Sequence, residues 1–324
     1  MASANLLDIA KISGNDKLVG IIEEVGNVAP EVMAIPARTI RGTSYKISSR
    51  LTNPGVGFRN ANEGWTLGAS TYFSRNIETK IFGGAIQCDK AVANAYEDGA
   101  EKWKSLEAAG VAQQAMIELG QQTFQGTATD AKGFPGLKQI HEELNTLRVA
   151  AGLTEIEVDA AGTSAGTSSS VYMIRTGDQG VQYIYGAGEG FTLGEWREQQ
   201  VTASSLTYDA YVNSLTAWAG LQVGSIHSVG RIWDLTEDTN CKLTDAFLWQ
   251  LFHKFPIGQK PNMVLMSRRS SQQLQISRTV TINASGSTRA GNNVENIPAP
   301  ATDWNGLPII VTDSIPDNDA LNNG

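Results

Sequence analysis

Three histidines, two cysteines and four aspartates at the ends of apolar or loop segments are the residues here that could carry chemistry. His141, His227 and His253 stand at spacings that match no metal motif, and each reads as a surface or internally satisfied histidine. Cys88 and Cys241 have no Cys-X-X-Cys partner and read as structural thiols. Asp159, Asp178, Asp234 and Asp313 could converge as an acidic cluster suited to hydrolysis. Asp313 poses the question most sharply, because in WNGLPIIVTDSIP (Trp304–Pro316) it follows the apolar run Ile309, Ile310, Val311. The alternative is that Asp313 and Ser314 end a strand by bonding their own following backbone. GTSAGTSSS lacks the Gly-Lys-Ser/Thr ending of a phosphate loop, and GAGEG (Gly186–Gly190) breaks the dinucleotide fingerprint and reads as a turn. The expectation is a protein without cofactor, metal or reaction centre.

The elements that would position these residues can be read from the pattern. Residues 1–36 are mixed, with an amphipathic patch at Leu18–Gly26 closed by Pro30 and Pro36, and suggest an arm or peripheral helix. Gly42–Leu51 and Ser70–Asp89 have strand character and flank the turn-rich NPGVGFRNANEGW, which predicts a long hairpin. Such a hairpin cannot bury both faces alone and is expected to lie against something else. From Ala91 to about Gln122 apolar and small residues recur at spacings of three and four, predicting one helix of roughly 45 Å. Gly99, Gly110, Gln113 and Gly120 on that stripe favour close packing against a sheet over a coiled-coil seam. Gly136–Gly152 suggests a short helix, and SVYMIR, Val181–Gly186, Val212–Ile226 and Ser228–Leu235 read as strands. Lys242–Phe255 is helical with Thr244 or Asp245 near its start, and Pro261–Arg278 reads as a buried strand followed by a helix opened by Ser267. The polar tail IPDNDALNNG is expected to fray. The order of elements is α+β.

Bulk properties exclude some classes. With 324 residues, 41% of them hydrophobic, the chain can bury a sizeable core, and no run approaches the ~18–20 apolar residues of a membrane span. The N-terminus does not read as a signal peptide, and two distant cysteines suit synthesis in a reducing cytoplasm. A net charge of −8 disfavours a dedicated nucleic-acid binder. That charge is divided unevenly. Residues 38–80 hold seven cations against Glu63 and Glu78, a local +5 that leaves −13 elsewhere. Such a division can draw identical subunits together.

In order along the chain, QTFQG (Gln121–Gly126), GFPGL (Gly133–Leu137), SSSVYMIRTG (Ser168–Gly177), VQYIYGAGEGFTL (Val181–Leu193), TAWAGLQVGSIHSVGRIWDL (Thr216–Leu235), MVLMSRRSSQQLQI (Met263–Ile276) and WNGLPIIVTDSI form a recognisable series. With it the chain resembles the major capsid proteins of tailed bacteriophages, which share the Hong Kong 97 fold with encapsulin shells. The resemblance implies an α+β capsid fold with an N-terminal arm at 1–39, an extended β-hairpin loop at 40–88 and a spine helix of the peripheral domain at 89–124. Residues 125–324 would supply the axial domain and the remaining peripheral strands. It implies self-assembly into pentamers and hexamers of an icosahedral shell around packaged double-stranded DNA, enclosed without sequence-specific contacts. Expected partners are the chain itself, a separate scaffolding protein, a portal and a decoration protein, with no membrane. The location would be the virion capsid after synthesis in the host cytoplasm. Arg50, Arg59 and Arg75, with Phe58, Trp65 and Tyr72 as anchors, are the candidate inter-subunit contacts, unless these aromatics only pack within the hairpin. The hairpin would be mobile until assembled. Lys46 and Lys80 are the loop lysines, and neither is marked as a cross-linker. The alternatives are an encapsulin-like compartment or a cytoplasmic hydrolase using the strand-end aspartates.

Overall fold

A computed structural model describes residues 29–65, 67–203, 206–284 and 302–321 of the chain. The patch expected at Leu18–Gly26 lies outside them. A one-turn helix α1 (Pro30–Ala34) comes first, with Pro30 where a missing N–H costs nothing. Strand β1 (Ala37–Thr39) leads to β2 (Ser44–Thr52) and β3 (Thr71–Glu78), which pair antiparallel as a sheet of their own. The hairpin closes at Glu78, earlier than expected. Thr79 donates through both its amide and its hydroxyl to the Thr43 carbonyl, at 2.8 and 2.9 Å, and fastens the two strands at that point. The next ten residues, β4 (Lys80–Asp89), turn away into a larger sheet.

The single helix expected over 91–122 is two helices. Helix α2 (Lys90–Asn94) is capped by the Asp89 carboxylate, which accepts from the Ala91 amide at 2.8 Å. It ends before Gly99, whose φ of +86° no helix accommodates, and α3 (Ala100–Gln125) then runs for 26 residues, about 39 Å. Helix α4 (Leu137–Ala150) is followed by β5 (Glu157–Asp159), β6 (Ser169–Ile174), β7 (Val181–Tyr185), β8 (Thr192–Leu193) and β9 (Arg197–Ala203). The long strand β10 (Leu206–Val223) and β11 (Val229–Leu235) come next, then α5 (Asp245–Lys254) and β12 (Met263–Met266). Helix α6 (Arg268–Ala284), β13 (Asp303–Trp304) and β14 (Leu307–Val311) complete the described elements.

Among the described residues the strands form two six-stranded sheets besides the hairpin. In the first, β10 is the organiser: it pairs with β4 along one side and with β7, β8 and β9 in succession, while β1 adds parallel to β7. The second runs β13-β14-β12-β6-β11-β5. Strand β6 is buried at every position, so its sequence SSVYMI lacks the alternation of a half-exposed strand. Tyr172 and Ile174 enter a core with Leu119, Phe124 and Leu144 of the helices, whereas Val171 and Met173 enter a second core with Leu248, Leu251 and Leu274. Strand β12 divides in the same way, Met263 and Leu265 from Val264 and Met266. One sheet thus separates two cores, and each fully buried aliphatic side chain contributes roughly 1.5–3 kcal/mol.

The tail does not fray over its described part. Ile315 is buried, the Asp319 amide donates to Ser168 at 2.9 Å, and Lys138 meets the Asp319 carboxylate at 3.0 Å. Helix α3 packs against the large sheet as expected, Trp103 lying with Ile86, Cys88 and Tyr211, but the close approach at Gly120 is to α1 and to Ser314, and Gly110 faces open space.

Candidate assembly surface

The hairpin ends in a tip whose apolar residues stand largely exposed among the described residues. Val56, Phe58 and Leu67 are essentially fully exposed, at 98%, 108% and 96%, and Trp65 at 65%. A turn organises the tip. Glu63 accepts from the Asn60 amide at 2.8 Å and from its side-chain amide at 3.2 Å, and Asn62 takes a φ of +69°. Arg59 donates to the Glu63 carbonyl at 2.9 Å, which lays its guanidinium 5.1 Å from the Trp65 ring centre. At the neck of the tip, a Cβ on Gly68 would stand 2.7 Å from the Gly55 amide nitrogen, so glycine is what lets the two backbone segments approach there. Large apolar side chains grouped at the end of a projection mark an interaction site, because solvent penalises each of them in the free subunit.

The six candidate contacts divide into three situations. Arg50 and Tyr72 face each other across the β2–β3 register, with the guanidinium 5.5 Å from the ring and a 3.3 Å hydrogen bond to its hydroxyl. Arg59 covers Trp65 as above, and Phe58 stands clear. Arg75 is turned inward. It donates to the Val223 carbonyl at 3.1 Å and lies 3.6 Å from Glu143 of α4, and burial pulls its pKa below the usual value. Packing within the hairpin therefore accounts for part of Tyr72 and Trp65 and none of Phe58. Val56 and Leu67 were missed from sequence; their signal is an apolar residue between glycines and polar residues where turn chemistry asks for none.

The base of the hairpin is stapled to the body. The Tyr45 hydroxyl donates to the Gln222 side-chain carbonyl, which also accepts from Arg38 at 3.0 Å and from the Gln182 side chain at 2.9 Å. The Gln222 amide in turn donates to the Asp178 carbonyl at 2.7 Å. Ile47 and Phe73 lie over Leu144, Val223 and Ile226, so the hairpin's inner face rests on α4 and the end of β10 as the exposed length required.

Several of the residues considered for chemistry make structural contacts. Asp313 lies two residues beyond β14 and pairs with Arg268 at 2.5 Å, and the local turn bond is made by Thr312, whose hydroxyl accepts from the Ser314 amide at 3.0 Å. Asp159 accepts from the Ala161 amide at 2.6 Å, and Asp234 accepts from the Ser168 hydroxyl at 3.1 Å while sitting in a bulge at φ +53°. In the polar loop, Thr163 and Ser164 bind the Asp238 carboxylate, and the Ser164 hydroxyl with the Thr163 amide hold that carboxyl well below its usual pKa. His141 is fully buried, bonds the Ile156 carbonyl at 3.0 Å through Nε2, and is pushed down by burial to about 3. Cys88 is buried and its thiol is pushed up to about 11. Among the described residues no group of three or more His, Cys, Asp or Glu side chains could hold a metal ion, and no helix is long and apolar enough to cross a membrane.

A sequence model of the family described as Major capsid protein GP7 matches residues 14–321. No curated protein matches the chain. A chain in the cryo-EM structure of bacteriophage Epsilon15 is similar at 14% identity and a TM-score of 0.66, over 97% of this chain and 95% of that one. The bacteriophage JBD30 capsid is similar at 10% identity and a TM-score of 0.47, over 97% and 99% of the two chains. The SrpI encapsulin complex of Synechococcus elongatus matches 73% of this chain and 97% of its own at 10% identity and a TM-score of 0.43. The Epsilon15 likeness establishes the fold as the α+β Hong Kong 97 type.

Proposed function

This chain belongs to the Major capsid protein GP7 family, and from that premise we propose that it assembles into pentamers and hexamers which close into an icosahedral shell around double-stranded DNA. Its role is that of a phage capsid subunit, and its place is the virion capsid. The observation that carries the assembly reading is the uncovered tip: Val56, Phe58, Trp65 and Leu67 on a projecting hairpin with basic flanks. Burying two such side chains in a neighbour contributes about 3–6 kcal/mol per contact, repeated at each copy of the interface. Arg50 and Arg59 meet carboxylates of the next subunit, for which Glu97, Asp98 and Glu101 at the exposed start of α3 are suited by sign and position. Arg75 holds the hairpin at its working angle. The subunit acts without catalysis, is made in the host cytoplasm, and works with a scaffolding protein, a portal and a decoration protein. DNA is confined by the shell and not read.

The test is light scattering coupled to size separation, followed by negative-stain imaging of the largest fraction. Rings of five and six subunits or closed shells are expected, and Phe58→Ser with Trp65→Ser should leave a folded subunit that no longer forms them. A monomer or dimer at high concentration, with scaffolding protein supplied, overturns the reading. An encapsulin-like compartment is not favoured, since the family matched is that of a capsid protein.

A further inference from the structure

Glu31 of α1 is fully buried, and among the described residues neither of its carboxyl oxygens has a hydrogen-bond partner of good geometry, although the Ser314 and Thr312 hydroxyls lie beside them and partly offset the effect of burial. A carboxylate so placed would be expensive, because it has left water without gaining a counter-charge. The site is built for close approach. A Cβ on Gly120 of α3 would run into Glu31 Oε1 and Ser314 Oγ and come within 2.8 Å of Ala29 Cβ, so only glycine lets α1 settle there.

The groups around the carboxyl can be named element by element. From α3 come Gly120 and the buried Thr123, whose hydroxyl bonds Tyr183 Oη at 2.8 Å. From β7 comes Tyr183 itself, buried and neutral, its pKa pushed up by burial. Beyond β14 come Thr312, Ser314 and Asp313, and the Asp313 charge, itself paired with Arg268, opposes ionisation of Glu31. Burial is the largest influence on Glu31 and raises its pKa above the usual 4.5.

We propose that α1 is a proton-dependent latch, seated on α3 and on the end of β14 while Glu31 is the neutral acid, and released when Glu31 gives its proton to solvent. The seated form binds the proton more tightly than the released form. Seating is therefore strongest below the ordinary carboxyl value of 4.5, weakens as pH rises towards the raised value, and weakens no further above it.

Hydrogen exchange on the full-length chain, corrected for intrinsic rates, tests the latch between about pH 5 and about pH 8. Protection of peptides spanning 29–40 is expected to be lost progressively as pH rises in the wild-type chain, while peptides of α4 hold constant. Glu31→Gln, which cannot ionise, should keep those peptides protected across the range. Gly120→Ala should leave them unprotected at every pH. Flat wild-type protection, a parallel fall in Glu31→Gln, or wild-type behaviour in Gly120→Ala would each overturn the proposal.

Discussion

At the scale of single residues, several groups that resemble catalytic chemistry serve the fold. Arg148 is fully buried and donates to the Ile226 carbonyl, to the Val229 carbonyl at 3.0 Å and to Asn145, tying α4 to the turn between β10 and β11. Replacing it with Met leaves two buried carbonyls unpaired, at roughly 1–3 kcal/mol each. Arg148→Met is therefore expected to lower the denaturation midpoint by several degrees without exposing new binding surface. His141 sets an acid limit. Its pKa of about 3 lies below the ordinary histidine value, so the unfolded chain binds a proton there before the folded one does. Stability due to this residue is full above pH 6.5 and falls as pH drops towards 3, by at most about 1.4 kcal/mol per pH unit. Denaturant titrations at a series of pH values should show that loss, with a shallower one in His141→Gln. Glu31 works in the opposite sense, its seating favoured by acid.

At the scale of elements, the hairpin separates binding from stability. Its tip touches little else in the chain, so Phe58→Ser with Trp65→Ser is expected to change subunit stability by no more than about 0.5 kcal/mol, read by thermal unfolding. Its base behaves differently. Arg75→Ala removes the bond to the Val223 carbonyl and the contact with Glu143, so hydrogen exchange in β2 and β3 should rise while the large sheets keep their protection. The hairpin expected to move freely in the lone subunit is thus pinned at one end. Gly83 gives a third case. A Cβ there would collide with the Leu215 carbonyl of the partner strand, so Gly83→Ala is expected to part β4 from β10 and cost several kcal/mol.

At the scale of the whole molecule, the proposed assembly gives a use to the local +5 of residues 38–80 against −13 elsewhere. Part of it is met within the chain, as Arg75 and Lys80 show, while Arg50 and Arg59 lie towards the tip. Exposed charges are screened beyond about 8 Å at physiological salt. Assembly followed by light scattering should slow and weaken as salt is raised, less so in a variant lacking the Arg50 and Arg59 charges. A salt-independent rate would assign assembly to the apolar tip alone.

What the sequence determined by itself is what local periodicity and order can carry. The two hairpin strands, the helices at 137–150 and 245–254, the buried run at 263–266 and the Ser267 cap, which accepts from the Ser270 amide at 3.2 Å, were all legible from spacing and end signals. So was the family, from a series of short motifs in fixed order. Tertiary structure decided what depends on partners remote in the chain. Strand β4 has the same composition as a hairpin arm, and only its ten-residue match to β10 takes it into the large sheet. The stripe through Gly99 continues the helical period, yet a φ of +86° breaks the helix there. Gly120 and Glu31 are 89 positions apart, and neither carries a sign of the other until α1 is laid on α3. A glycine's missing Cβ and a carboxyl's missing counter-charge are facts about neighbours, and neighbours are what a fold supplies.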